Sequence, residues 1–204
     1  MILKLGSLAF AALFLFAAQF GRLDTREPIT YIIDDGKGVP GYRDSDRDLA
    51  KMAFDAWSRE SGGQLKFAET KTSDTALIRI RWISTNEGLY GETQRVQVNG
   101  KPGAIVYVMP QVSVQGEPLA SRAVQDNLLR ETIVYLTCVH ELGHAVGLQH
   151  TRKFEDIMYY FGYGGDIVDY FMRYRSKLQS RADIANYSGL SAGDLEALHN
   201  VYRN

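Results

Sequence analysis

The segment His140 to His150, His-Glu-Leu-Gly-His-Ala-Val-Gly-Leu-Gln-His, holds three of the chain's four histidines within eleven residues. His140 and His144 are four apart, so on a helix both imidazoles leave the same face and can share one ion, while Glu141 projects beside them. Gly147 lets that helix stop. With no Cβ it takes φ > 0, and the chain turns back to bring His150 in as a third ligand. A fourth position left to water makes an open zinc site. Zinc so held lowers the pKa of a water to about 7 and Glu141 receives the proton, which is the chemistry of metal-assisted hydrolysis.

Eight residues beyond His150 stands Met158, in Asp156-Ile157-Met158-Tyr159-Tyr160. The elongated HExxHxxGxxH pattern with a methionine after it resembles the metzincin clan of zinc endopeptidases, whose signature is that motif and a methionine turn under the metal. Within the clan the matrixins are the most similar. Ile29-Thr30-Tyr31-Ile32-Ile33 corresponds to their first strand, Ala53 to Ser58 to their first helix, and Ile78 to Trp82 to a middle strand. Leu190-Ser191 with Asp194, Leu198 and Tyr202 corresponds to their last helix, and Thr151 replaces the serine that follows their third histidine. The resemblance runs from residue 28 to the end.

It implies an α+β metzincin (zincin-like) fold: a twisted, mostly parallel five-stranded mixed sheet with three main helices, and a lower subdomain carrying His150, Met158 and the final helix. It also implies the roles. His140, His144 and His150 bind one catalytic zinc, Glu141 is the general base and acid, and protein or peptide is the substrate. Met158 forms a hydrophobic floor under the imidazoles. Leu136, one turn before His140, lines the substrate pocket beside the metal, with ordinary core packing as the alternative. Strand 91–98 offers an edge on which an extended peptide adds by β-augmentation. Tyr160 departs from matrixins, which usually carry proline there, towards astacins and serralysins, whose tyrosine hydrogen-bonds the developing oxyanion; the surrounding Tyr159, Phe161 and Tyr163 leave open a plain aromatic wall. The histidine-rich loop that holds a second zinc in many matrixins has no counterpart, so one zinc is expected, and the sequence leaves calcium undetermined.

A net charge of −1 and the lack of any long basic run give no footprint for nucleic acid. At 204 residues with 45% hydrophobic side chains, one core and one domain, residues 29–204, are expected, as a monomer. Residues 1–20 read as an export signal: Lys4 gives a positive start, and residues 5–18 are almost wholly apolar but short of the ~20 needed to span a membrane. No clean cleavage site follows, so an uncleaved membrane anchor is the alternative. Either places the protein outside the cytoplasm, secreted or in the cell envelope. Residues 21–28 form a short tail in which Asp24 is a candidate zinc latch, against an ordinary solvated terminus. Cys138, the one cysteine, allows no internal disulfide and on a helix faces away from His140, so it has no part in latency.

Elsewhere the pattern predicts a helix over 44–60, strands over 64–69 and 76–83, and a hairpin of 91–98 and 104–109 around Asn99 to Gly103. It further predicts one helix over 123–148, an extra helix over 165–180, and a last helix capped by Ser191 and Asp194. His199 is read as a surface histidine. Two rivals keep the metal but change the activity: an idle zinc-stabilised peptide-binding module, against which an intact Glu141 argues, and a zinc amidase acting on a non-protein acyl bond.

Overall fold

The computed structural model describes residues 22–84 and 90–203; the apolar segment read as an export signal lies outside them. Five strands form one sheet: β1 (Ile29–Ile33), β2 (Phe67–Glu69), β3 (Ile78–Trp82), β4 (Gly91–Val98) and β5 (Lys101–Val108). Their order is β2-β1-β3-β5-β4, with every pairing parallel except β4 with β5. This is the expected mostly parallel mixed sheet, and β4 lies on its edge.

β1 and β3 alternate buried and half-buried residues, as strands covered on one face do. Their inward side chains, Ile29, Tyr31, Ile33, Ile78, Ile80 and Trp82, share one core with the apolar stripe of α1 (Asp46–Glu60), where Leu49, Ala53, Phe54 and Trp57 are buried and Phe54 stacks on Tyr31. Trp57 has no exposed surface, and its Nε1 donates to the carbonyl of Val139 at 2.9 Å, binding α1 to the helix that carries the histidines. Removing a side chain so buried costs about 3–5 kcal/mol.

Three expectations are corrected. The single helix over 123–148 is two, α2 (Leu119–Gln125) and α3 (Asn127–Ala145): Asp126 turns extended between them, and its carboxylate caps α3 by accepting from Leu129 N at 3.0 Å. The hairpin tip is not five residues long. Asn99 and Gly100 both take positive φ, 51° and 77°, a two-residue turn matched to strand twist, and β5 starts at Lys101. Pro102 lies before the stretch paired with β3, so its missing N–H removes no bond to that strand. β2 is shorter than predicted, because only Phe67–Glu69 lie alongside β1.

Beyond the zinc motif the chain forms α4 (Ile167–Arg175), the extra helix, and α5 (Ala192–Tyr202), opened by the Ser191–Asp194 capping box. Arg175 of α4 pairs with Asp126 at 2.8 Å, fastening α4 to the start of α3. His199 is exposed, as expected.

Candidate active site

The C-terminal end of α3 builds the turn that the sequence demanded. Leu148 N donates to Gly143 O at 2.9 Å and Gly147 N to His144 O at 3.0 Å, the paired bonds of a Schellman motif, with Gly147 at φ 110°. The chain reverses there, and one ring nitrogen or more from each of His140, His144 and His150 comes within 4.8 Å of the others. The outer nitrogens are already engaged. His140 Nδ1 lies 2.6 Å from Ile157 O and His144 Nδ1 3.0 Å from Leu148 O, contacts that an Nδ1–H makes by donating, which leaves both Nε2 atoms without a proton, that of His144 3.1 Å from His150 Nε2. Burial and the neighbouring His144 pull the pKa of His140 down to about 3, and the same two causes bring His150 to about 4, so the cluster is neutral and able to ligate at ordinary pH. The donor set therefore fits a tetrahedral zinc with one position open.

Met158 has no exposed surface and packs beneath the helix: a Cβ added at Gly143 would come within 2.3 Å of its sulfur. The glycine inside His-Glu-Leu-Gly-His is thus the space that the methionine fills. The turn around Met158 is held from two sides. Thr151 N donates to Met158 O at 2.8 Å, while the fully buried carboxylate of Asp194 accepts from Ile157 N at 2.8 Å and Met158 N at 3.2 Å. Asp194 was legible only as a helix cap; its second task depends on where the last helix docks.

Glu141 is 6% exposed, and burial raises its carboxyl to about 7 in the metal-free chain, against the opposing hydrogen bond from Thr93. On β4, Thr93 hydrogen-bonds the Glu141 carboxylate and Gly91 leaves room for that side chain; neither residue belongs to a motif that marks it in the sequence.

The site opens into a cleft of about 920 Å³ that includes His140, Glu141, His144 and His150. Leu136 is among the residues lining it, though only 3% exposed. Tyr160 is 46% exposed and stacks on the ring of His150, with centroids 4.8 Å apart. The wall opposite comes from α4, through Ile167, Tyr170 and Phe171, with Tyr90 packed on Phe171 at 5.6 Å. Tyr170 O–H also donates to Ile157 O at 3.0 Å, the carbonyl that His140 uses, so the extra helix bears on the histidine cluster as well as on the cleft.

Two other residues stand apart from the site. Asp24 is held by Arg26, at 2.7 and 2.9 Å, and is not among the residues lining the cleft, so the latch gains no support. Cys138 is fully buried, with its thiol pushed well up by burial, and does not line the cleft either.

No curated protein matches the chain. The family model of the matrixins, Peptidase_M10, matches residues 23–166, which takes in the sheet, α1, the three histidines and the methionine turn but stops before α4 and α5. With the histidines converging behind a Schellman turn and a buried methionine under their helix, this chain belongs to the matrixin family of zinc-dependent metalloproteases.

Proposed function

We propose that the protein is an exported endopeptidase in which His140, His144 and His150 hold a single catalytic zinc and Glu141 moves the proton. The observation that carries this is the convergence of three imidazoles within 4.8 Å, with Glu141 buried beside them at the edge of an open cleft. When bound, zinc supplies the Lewis acidity that makes a water acidic near neutrality and polarises a carbonyl.

The chain's own residues do the rest. Glu141 accepts a proton from the attacking water and returns it to the departing amine nitrogen, a carboxyl raised towards neutrality by burial being suited to both transfers. Substrate lies extended along the outer edge of β4, which among the described residues has a strand on one side only, so main-chain hydrogen bonds supply affinity and the cleft selects side chains. Leu136 and the α4 residues Ile167, Tyr170 and Phe171 make part of that cleft apolar and exclude water from it. The phenol of Tyr160, next to His150, donates to the substrate oxygen as it gains negative charge. Export rests on the apolar run at 5–18.

Casein zymography of the mature chain beside Glu141→Ala tests the reading, with zinc measured in both. Wild type clears casein, whereas the variant keeps about one zinc per chain and clears nothing. A wild type that binds zinc but leaves casein intact returns the protein to the binding-module or amidase readings, and activity in Glu141→Ala within roughly a hundredfold of wild type removes Glu141 as the base.

A further inference from the structure

The face of β4 that meets α3 carries Gly91, Thr93 and Arg95 at alternate positions, as strand geometry requires. Each reaches a different level of the helix. A Cβ at Gly91 would sit 2.7 Å from Glu141 Cγ and 3.0 Å from its Oε1. Thr93 Oγ1 lies 2.8 Å from Glu141 Oε2 and 2.9 Å from the main-chain oxygen of the same residue. Arg95 donates to the carbonyls of His144 and Ala145 at 2.8 and 2.9 Å, where the helix ends and cations are favoured.

We infer that Thr93 is the positioning residue for the Glu141 carboxylate, an assignment that rests on Glu141 acting as the base. Glutamate ends in a freely turning carboxyl, and a base in the wrong rotamer cannot reach its proton. Thr93 holds Oε2, while Gly91 gives the side chain room to lie against the strand. The hydroxyl suits a group that gains and loses a proton in every turnover. It is one donor with two acceptor lone pairs. It donates to a bare Oε2, and it accepts from a protonated one while turning its own hydrogen to the main-chain carbonyl of Glu141. A lysine or arginine in its place could only donate. The Thr93 hydroxyl therefore keeps the carboxyl in one orientation through both proton transfers.

Thr93→Val keeps the shape and removes the hydroxyl; Thr93→Ser restores it. In the zinc-loaded mature protein, Thr93→Val is expected to lower kcat roughly tenfold or more with KM little changed, and Thr93→Ser to recover most of the loss. Zinc stoichiometry should stay near wild type in both. A readout free of turnover comes from infrared difference spectra of the metal-free protein, in which the carboxyl band absent from Glu141→Ala shifts in Thr93→Val and not in Thr93→Ser. If Thr93→Val does not fold, Thr93→Ala takes its place under the same kcat and KM comparison. A hydroxyl-free variant within twofold of wild-type kcat, an unshifted carboxyl band, or a serine variant as slow as the valine one overturns the assignment. Activity surviving in Glu141→Ala would instead bring down the base assignment itself, so the two failures are distinct.

Discussion

Replacing Gly143 by alanine opposes two effects of known size. Within a helix, alanine is favoured over glycine by about 1 kcal/mol. Here the new methyl carbon would stand 2.3 Å from Met158 Sδ, 3.3 Å from its Cε and 3.2 Å from Trp57 Cζ2, against the ~3.5–4.0 Å at which carbon contacts are optimal. Methionine is flexible and would normally swing aside. Met158 has nowhere to go: it is wholly buried, its N–H is held by Asp194 and its carbonyl by Thr151. The overpacking cost thus falls near the top of its usual ~1–3 kcal/mol range and outweighs the propensity gain, leaving a net loss of about 2 kcal/mol. For a domain of this length each 1 kcal/mol moves the melting midpoint ~2–4 °C, so the midpoint drops by about 4–8 °C. Thermal melts of the zinc-loaded protein measure it, and a double-mutant cycle with Met158→Ala isolates the clash. Once the thioether is gone, Gly143→Ala should be neutral or stabilising, with a coupling of roughly 2 kcal/mol or more. A variant that melts above wild type, or additive effects in the cycle, would refute the packing argument.

Two further outcomes are expected. Tyr160→Phe keeps the ring stacked on His150 and removes the phenol, so a transition-state donor is lost: kcat falls roughly tenfold or more with KM little changed, and an unchanged kcat leaves Tyr160 as aromatic wall. Asp194→Ala strips an acceptor from the N–H groups of Ile157, Met158 and Ser191 at once and should destabilise by at least about 3 kcal/mol in urea denaturation, while Asp194→Asn, with one acceptor oxygen left, loses less; a cost under ~1 kcal/mol for the alanine variant would show that the methionine turn stands without it.

The three-histidine cluster was legible in the sequence because its geometry is local. His140, His144 and the turn at Gly147 lie within one helical stretch, and His150 needs only that turn to reach the others, so spacing and one positive φ bring three imidazoles together without knowledge of the rest of the chain. The capping box of α5 was legible for the same reason, since caps are read over a few residues. The break at Asp126 was not, because an aspartate within an unbroken apolar periodicity gives little warning that it will cap a new helix. What held the site in place was decided only by the tertiary structure. Thr93 stands 48 residues from Glu141 and Asp194 36 from Met158, and nothing in the sequence near any of these residues marks its partner. Those partners meet because β4 crosses the face of α3 and α5 docks under the methionine turn, and docking is fixed by packed apolar surfaces, which a one-dimensional pattern indicates as buried but never as adjacent.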